Sequence, residues 1–187
     1  MSSKSTKESI IDAADQLFYQ QGYEKTSFAD IAQAVGITRG NFYHHFKTKD
    51  DILASVINLR LENTADMLEQ WQEDSQSPSE RIECFIKILI MNRAKIRLYG
   101  CPVGTLTTEL GKLEHPQLNN ANQVFLLFSD WLEQQFLALG HTQNARELAR
   151  HLLARSQGVA TLASAFHDEA FLYQEVDTLT EWLAQYH

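Results

Sequence analysis

The chain has 187 residues, of which 44% are apolar and 21% charged, a balance that excludes a disordered or fibrous protein. Its longest uninterrupted apolar runs, residues 88–91 and 124–128, are far shorter than the roughly 20 residues needed to cross a membrane. The first ten residues lack the apolar segment of a signal peptide, and two cysteines do not make a disulfide framework. We therefore expect a cytoplasmic protein.

The net charge of −8 argues at first against a nucleic-acid ligand, but the charge is unevenly distributed. Residues 1–60 contain seven Lys/Arg and seven Asp/Glu, so the other nine bases and seventeen acids account for the whole excess. No acid lies between Asp30 and Asp50, where Arg39, Lys47 and Lys49 occur. Since charges are screened over about 8–10 Å at physiological salt, a distant acidic region hardly weakens a local basic surface.

Helix start and stop signals follow one another along the chain, and only three prolines interrupt it. Ser5 with Glu8 forms a capping-box pattern, and Ser77-Pro78 followed by Glu80 is a second strong start signal. The predicted helices span residues 5–22, 27–36, 38–45, 48 to beyond 67, 77–99, 103–113, 116–140, 144–166 and 169–186. No segment alternates between hairpin turns, so we expect an all-α protein with about nine helices.

Residues 27–46 have the features of a helix-turn-helix. Ala32 is small where two helices must approach closely, and Gly36 supplies the positive φ of the tight turn. Ile31, Ile37 and Phe42 are apolar at positions that would hold the two helices together. A second helix capped by Thr38 would present its first residues to a major groove. The motif alone is also compatible with a plain packing unit.

The run TSFADIAQAVGITRGNFYHHFKTKDDIL, Thr26 to Leu53, closely resembles the signature of the TetR family of transcriptional regulators. The preceding helix, with Ala13-Ala14 and a Leu17-Phe18…Gly22-Tyr23 ending, is similar too, so the resemblance covers roughly residues 7–55. It implies an N-terminal three-helix DNA-binding domain over residues 1–48. It also implies a helical effector-binding and dimerisation domain over residues 49–187.

The resemblance, supported by side-chain chemistry, assigns nine DNA-binding residues: Thr26, Ser27, Thr38, Arg39, Gly40, Asn41, Tyr43, His44 and Lys49. Thr26 or its neighbour Ser27 offers a hydroxyl to a phosphate at the start of the second helix. Arg39 can pair with guanine and Asn41 with adenine, while Gly40 lets the backbone come close to the bases. Tyr43, His44 and Lys49 match the family's contacts to the DNA backbone. His45 and Lys47 are either DNA contacts or ordinary solvated residues.

The last two predicted helices carry a stripe of apolar and small residues at intervals of three and four. Its members are Leu148, Leu152, Ser156, Val159, Ala163, Phe166, Phe171, Val176, Leu179, Trp182, Leu183 and Tyr186. Small residues beside it, Ala149, Gly158 and Ala160, permit close helix approach. The stripe fits the core of one chain as well as an interface between chains. From the resemblance we expect a homodimer that is held by a four-helix bundle.

The resemblance also places a small-molecule effector among the helices of residues 80–140, with no further cofactor expected. The candidate effector-binding residues are Arg93, Tyr99, Cys101, Glu109, Phe125, Phe128 and Trp131. Aromatic residues at helical spacing are equally typical of plain core.

The segment GCPVGTLTTEL at residues 100–110 resembles one in a TetR subgroup that includes a repressor sensing electrophiles through a cysteine. Cys101 directly precedes Pro102 and can cap the next helix. It is either a redox or electrophile trigger or a small structural residue.

These observations predict a repressor that an effector releases from a palindromic operator, with activation left open. The alternative is an architectural DNA-binding factor controlled by a protein partner, which would occupy many chromosomal sites. We do not expect an enzyme or a metal site, because Glu109, Glu114 and His115 lack metal-ligand spacing. Serine-elbow, phosphate-loop and dinucleotide motifs are also missing from the sequence.

Overall fold

The structure, a computed structural model, describes residues 4–186. Within that range it contains α-helices, one short 3-10 helix and no β-strand, which confirms the predicted all-α class. The helices are α1 Thr6–Gln21, α2 Phe28–Val35, α3 Arg39–His45, α4 Lys49–Asp74, α5 Pro78–Met91, α6 Arg93–Tyr99, α7 Pro102–Lys112, α8 Leu118–Ala121, α9 Gln123–Ala138, α10 Ala145–Phe166 and α11 Glu169–Leu183, followed by the 3-10 turn Ala184–Tyr186.

The nine predicted helices correspond to these eleven because two of them are interrupted. The predicted helix 77–99 is divided into α5 and α6 at Asn92, where φ is −104° and ψ is 9°. The Asn92 side-chain amide donates to the Ile88 carbonyl at 3.0 Å, a local bond that competes with helix continuation. The predicted helix 116–140 is likewise divided into α8 and α9, at Asn122.

Most helices begin at the predicted capping residues. The Ser5 hydroxyl accepts the Glu8 N–H at 3.2 Å, and the Glu8 carboxylate accepts the Ser5 N–H at 2.7 Å. The bond from the Ser5 backbone N–H to the Glu8 carboxylate, and secondly a bond from the Ser5 side chain, lower the pKa of Glu8. The Ser77 hydroxyl accepts the Glu80 N–H at 3.2 Å and caps α5, and Pro78 is the first residue of that helix. Local side-chain chemistry therefore sets these helix starts.

The chain forms two compact units. Unit 1 comprises the described residues of Met1–Glu62 together with Thr105–Gln123. Its core contains residues of α1 to α4 and also Leu106, Leu110 and Ala121 from the second segment. The functional boundary predicted between residues 48 and 49 is a different kind of division and stays a prediction.

Unit 2 comprises Asn63–Gly104 and the described residues of Val124–His187. In it α11 packs against α5, while α10 packs against α6 and α11. The predicted interface stripe on α10 and α11 is mostly core of the single chain, because the following side chains are buried: Leu148, Leu152, Ser156, Val159, Ala163, Val176, Leu179 and Leu183. Ala149 and Ala160 are buried as well. These side chains therefore act as core of the single chain, and the homodimer held by a four-helix bundle stays a prediction.

Phe166 differs from the rest of the stripe, since 73% of its surface is exposed.

Across residues 4–186, no helix combines the length and the apolar character that a membrane crossing requires. No group of three or more His, Cys, Asp or Glu side chains in this range is arranged to hold a metal ion.

Candidate nucleic-acid interface

The helix-turn-helix is formed by α2, a tight turn and α3. Gly36 ends α2 with φ 75° and ψ 31°, the left-handed conformation expected from the sequence. The Thr38 hydroxyl then accepts the Asn41 N–H at 3.3 Å and begins α3. Ile31 and Phe42 are almost completely buried and Ala32 is 5% exposed, so these side chains hold the two helices together as predicted.

The first turn of α3 presents the predicted base-reading residues to solvent. Arg39, Gly40 and Asn41 are all exposed, and so are Tyr43 and His44 on the following turn. The first turn therefore offers a guanidinium and a carboxamide to solvent, and the glycine between them adds no bulk. These groups can donate to and accept from base edges in a major groove.

A cleft of about 250 Å³ lies beside these residues, between the start of α2 and α3. Ser27, Phe28 and Ala29 line it on the α2 side, while Arg39 and Tyr43 are among the residues that line it on the α3 side. The cleft therefore joins the two groups of predicted contacts, those to phosphates and those to bases, in one continuous surface.

Phe28 orients Tyr43, a role that the sequence did not reveal. The Phe28 ring meets the Tyr43 ring edge to face, with centroids 5.6 Å apart and planes at 85°. Phe28 also packs on the buried ring of Phe42 at 5.1 Å. Aromatic pairs favour one geometry over others, so the contact with Phe28 restricts the orientation of the Tyr43 ring although 45% of Tyr43 is exposed. An apolar residue directly after a helix cap is the only sequence signal of this contact.

Of the two hydroxyls offered for a phosphate contact, the structure favours Ser27. The side chain of Thr26 is buried, and its hydroxyl donates to the Gly22 carbonyl at 2.7 Å and accepts from Gln21 at 3.2 Å. Ser27 is exposed and caps α2, where the unpaired N–H groups attract an anion. Its hydroxyl and its backbone N–H donate to the Asp30 carboxylate and lower the pKa of Asp30.

Lys49 lies at the start of α4 with its ammonium group against the loop between α1 and α2. Its Nζ donates to the carbonyl oxygens of Tyr23 at 3.0 Å, Glu24 at 3.1 Å and Thr26 at 3.3 Å. It also lies 4.2 Å from the centroid of the Tyr23 ring. Because an ammonium group has three donors, a phosphate would have to replace one of these carbonyls. The phosphate contact of Lys49 stays a prediction that this placement does not favour.

His45 and Lys47 lie at the far end of α3. The Lys47 ammonium donates to the Tyr43 carbonyl at 2.6 Å, which satisfies the C-terminus of the helix. His45 is half-buried. This bond within the protein favours the interpretation of Lys47 as an ordinary solvated residue over a DNA contact.

The candidate effector residues are divided between the two units. Glu109 belongs to unit 1, where its carboxylate accepts the N–H groups of Tyr23 at 2.8 Å and Glu24 at 2.9 Å. The other six candidates, all in unit 2, are Arg93, Tyr99, Cys101, Phe125, Phe128 and Trp131. The Glu109 carboxylate is thus engaged by two N–H groups of its own unit, and its effector role stays a prediction.

Several of the unit 2 candidates have structural contacts. Phe128 packs edge to face on Phe85 at 5.5 Å, and Trp131 packs on Trp71 at 5.8 Å. Arg93 is exposed and lies 3.9 Å from the Glu169 carboxylate. Tyr99 and Phe125 are half-buried. Aromatic residues at helical spacing thus contribute to the core of unit 2, as the simpler interpretation held, and their role in effector binding stays a prediction.

Cys101 caps α7. The Gly104 N–H donates to its Sγ at 3.5 Å, which places the thiol where a serine hydroxyl would normally stand. Cys101 is half-buried, and a Cβ atom on Gly104 would lie 3.6 Å from the Cβ of Cys101. The same atom would come within 2.5 Å of the Gln157 side-chain oxygen, so Gly104 allows α7 and α10 to approach closely here.

Comparison with known proteins agrees with this geometry. The family described as bacterial regulatory proteins, tetR family, matches residues 10–56, which contain all of the helix-turn-helix. The chain contains a TetR-family DNA-binding domain. It is a DNA-binding transcriptional regulator.

Two relatives and one solved structure show how far the similarity extends. An HTH-type transcriptional regulator in the lacX 3' region of Lactococcus lactis subsp. lactis is 27% identical over 94% of this chain and 92% of its own length. The regulator AcrR of Shigella flexneri is 36% identical, but over only 46% of this chain and 39% of its own length. A crystal structure of a TetR transcriptional regulator from Legionella pneumophila has a TM-score of 0.85 and 27% identity, and it covers 99% of this chain and 98% of its own. The resemblance to the subgroup defined by residues 100–110 stays a prediction.

Proposed function

We propose that this TetR-family regulator is a homodimeric repressor that binds a two-fold symmetric DNA operator through α3 and releases it when an effector binds unit 2. The observation that carries the proposal is the exposed row Arg39, Gly40 and Asn41 on the first turn of α3. Tyr43 on α3 supplies a neutral donor to the DNA backbone on one side of the cleft. Ser27 at the start of α2 supplies one on the other side, and its single hydroxyl proton would turn from the Asp30 carboxylate to a phosphate.

A recognition helix of seven residues reads only a few base pairs, so specificity requires two copies on a symmetric site. The exposed face of α10 offers a surface for the second copy. It consists of Ala154, Gly158, Leu162, Ala165 and Phe166, which are all exposed, with large apolar side chains at two of the five positions. Small residues between them, including the predicted Gly158, permit close helix packing. The buried stripe is on the other side of the helix, so we place the dimer contact on this exposed face.

The experiment begins with genomic mapping of the sites that the full-length protein occupies. Occupancy of one or a few promoters with palindromic sites supports a repressor, whereas hundreds of scattered sites would support the architectural alternative. Binding to the mapped operator is then measured by fluorescence anisotropy for the wild type, Arg39→Ala and Arg146→Ala. Arg146 is exposed and belongs to unit 2, so its variant loses the same charge outside the helix-turn-helix.

We expect Arg39→Ala to lose about 1–3 kcal/mol of binding free energy and to relax the preference at one base pair of each half-site. Arg146→Ala should bind as the wild type does. Equal binding by both variants to every operator variant would contradict the assignment of α3 as the reading helix.

The effector class divides into ordinary small molecules and electrophiles that modify Cys101. Cys101→Ser keeps a capping oxygen for the Gly104 N–H but removes the thiol, so it should fold and bind the operator. If an electrophile such as N-ethylmaleimide releases the wild type and not this variant, Cys101 is the trigger. If both are released alike, Cys101 is structural. Cys84 is half-buried with its Sγ 3.8 Å from the Ser75 hydroxyl, and Cys84→Ser serves as the control.

A further inference from the structure

The loop between α1 and α2, residues Gly22–Thr26, is held by two charged side chains. A lysine ammonium group binds its carbonyl oxygens, and a glutamate carboxylate binds its N–H groups. Lys49 donates to three of its carbonyl oxygens. Glu109 accepts two of its N–H groups, with Oε2 2.8 Å from the nitrogen of Tyr23 and Oε1 2.9 Å from that of Glu24. Both carboxylate oxygens are thus used on consecutive amides. Charge-assisted bonds of this kind are stronger than those between neutral groups.

Glu109 reaches this loop from a distant part of the sequence. It lies on α7, 86 residues after Tyr23 and outside the helix-turn-helix motif. Leu106 and Leu110, which flank it on the same helix, are 5% and 0% exposed within the core of unit 1. The apolar residues therefore fix the helix, and Glu109 extends from a rigid base toward the loop.

A second contact supports the same junction. The Tyr23 hydroxyl donates to the Asp50 carboxylate, and His115, just after α7, has its Nε2 3.4 Å from the same carboxylate. The His115 ring packs edge to face on the Tyr23 ring at 5.1 Å. The segment that carries Glu109 thus touches the loop at its backbone and at the side chain of Tyr23.

The loop leads directly into the DNA-facing surface. Three residues after Glu24 comes Ser27, the cap of α2 and the proposed phosphate contact, followed by Phe28, which packs against Tyr43. A shift of the loop backbone would move the start of α2 and, through Phe28, the support of the Tyr43 ring. Phosphate contacts depend on such positioning because each is a short directional hydrogen bond.

We propose that Glu109 is a positioning residue for DNA binding: its carboxylate fixes the α1–α2 loop and so places Ser27 at the DNA backbone. This inference rests on the proposed function and adds to it a residue that touches no DNA. It also assigns α7 a part in setting operator affinity, beyond its contribution to the core.

Glu109→Gln is the direct test, measured on the full-length protein with the mapped operator. The carboxamide keeps the size of the side chain but offers one accepting oxygen, so one loop N–H loses its partner. We expect operator binding about tenfold weaker, the effect of one charge-assisted hydrogen bond. Removing a negative charge would by itself strengthen DNA binding, so a weaker complex cannot arise from net charge.

Glu114→Gln is the matched control, because Glu114 is an exposed carboxylate five residues further along. It should bind the operator as tightly as the wild type or slightly more tightly. Hydrogen exchange should become faster at the amides of Tyr23 and Glu24 in Glu109→Gln and nowhere else in α1 to α3. This local pattern separates a positioning role from a general loss of stability.

A double-mutant cycle with Ser27→Ala shows whether the effect passes through the start of α2. If it does, Glu109→Gln should cost little once Ser27 is alanine. If Glu109→Gln does not fold, Glu109→Asp retains both oxygens on a shorter side chain and is read in the same way. Wild-type protein that binds no operator would refute the proposed function. Two results would overturn this inference while leaving the proposed function intact. One is that the wild type binds the operator and Glu109→Gln binds it equally well. The other is that Glu109→Gln weakens binding as much in the Ser27→Ala background as in the wild type.

Discussion

Replacing Gly22 by alanine tests the contact between α1 and α7 from the side of the glycine. Gly22 ends α1 with φ 93° and ψ 157°, a conformation that other residues adopt at a cost of about 1–3 kcal/mol. The added Cβ would also lie 2.9 Å from Oε1 of Glu109 and 3.3 Å from Oε2, closer than a carbon and an oxygen normally approach. The Glu109 carboxylate would have to move away from the two amides that it accepts.

The expected cost follows from these two contributions. Displacing Glu109 weakens two hydrogen bonds to a charged group, each contributing about 1.5–3 kcal/mol in a buried setting and less at this half-exposed position. With the backbone strain, Gly22→Ala should destabilise unit 1 by about 3 kcal/mol. Gly36→Ala is the matched control, since φ is 75° there but no atom lies within 4 Å of the added Cβ. Gly36→Ala should lower the free energy of unfolding only by the cost of the left-handed conformation, about 1–2 kcal/mol.

Urea unfolding can separate the two units because all three tryptophans, Trp71, Trp131 and Trp182, lie in unit 2. Fluorescence then follows unit 2 alone, while circular dichroism follows the helices of both. In a Glu109→Ala background the steric conflict is absent, so Gly22→Ala should cost at least about 1 kcal/mol less than it does in the wild type. The reasoning fails if the cost is the same in both backgrounds, or if Gly22→Ala and Gly36→Ala are equally destabilising.

Three further predictions concern the reading head and the dimer. Phe42 is 1% exposed, so Phe42→Ala should destabilise unit 1 by about 3–5 kcal/mol and abolish operator binding. Tyr43→Ala should weaken operator binding with a much smaller loss of stability. Urea unfolding monitored by circular dichroism compares the stabilities of the two variants. Hydrogen bonds from Ser27 hold the pKa of Asp30 below its ordinary value of 3.8. The ionised Asp30 carboxylate therefore stabilises α2 at a pH above 3.8, and this stabilisation is lost as the pH falls through the lowered pKa. Asp30→Asn should therefore lessen the acid-induced fall in the melting temperature of unit 1 below about pH 4, and an unchanged pH profile would contradict the assignment. Leu162→Glu should dissociate the dimer in analytical ultracentrifugation, while Leu98→Glu, at a similarly exposed leucine on α6, should not; dimers of both variants would place the interface elsewhere.

The helix-turn-helix could be predicted in detail because its determinants are local. Ser27 and Asp30 are three residues apart, and Gly36 and Thr38 act on the backbone beside them, so the sequence contains each interaction in full. The same holds for the start of α4, where Thr48 and Asp51 exchange hydrogen bonds at 2.9 and 3.1 Å. Family resemblance added roles to these residues but was not needed to locate the helices.

The contacts that were not predicted join residues far apart in sequence. No local pattern indicates that Glu109 accepts the N–H groups of Tyr23 and Glu24, so the sequence suggests an effector role for this carboxylate instead. On α10, a repeat of three and four residues shows that one face is apolar, but it does not show which surface covers it. Leu152 and Val159 would have the same spacing in a dimer interface, and in the structure they are core.

An acidic chain can present a reading surface to DNA because the acids that border the surface are engaged. Asp30, at one end of the acid-free run, and Asp51, one residue beyond its other end, accept hydrogen bonds from Ser27 and Thr48 at helix starts. The partial positive charge of the helix start offsets part of their negative charge. Asp50 accepts from the Tyr23 hydroxyl. None of these carboxylates belongs to the lining of the cleft beside Arg39. The excess of acids lies beyond residue 60, so the charge that decides binding is that of a few residues around α3 rather than the net charge of the chain.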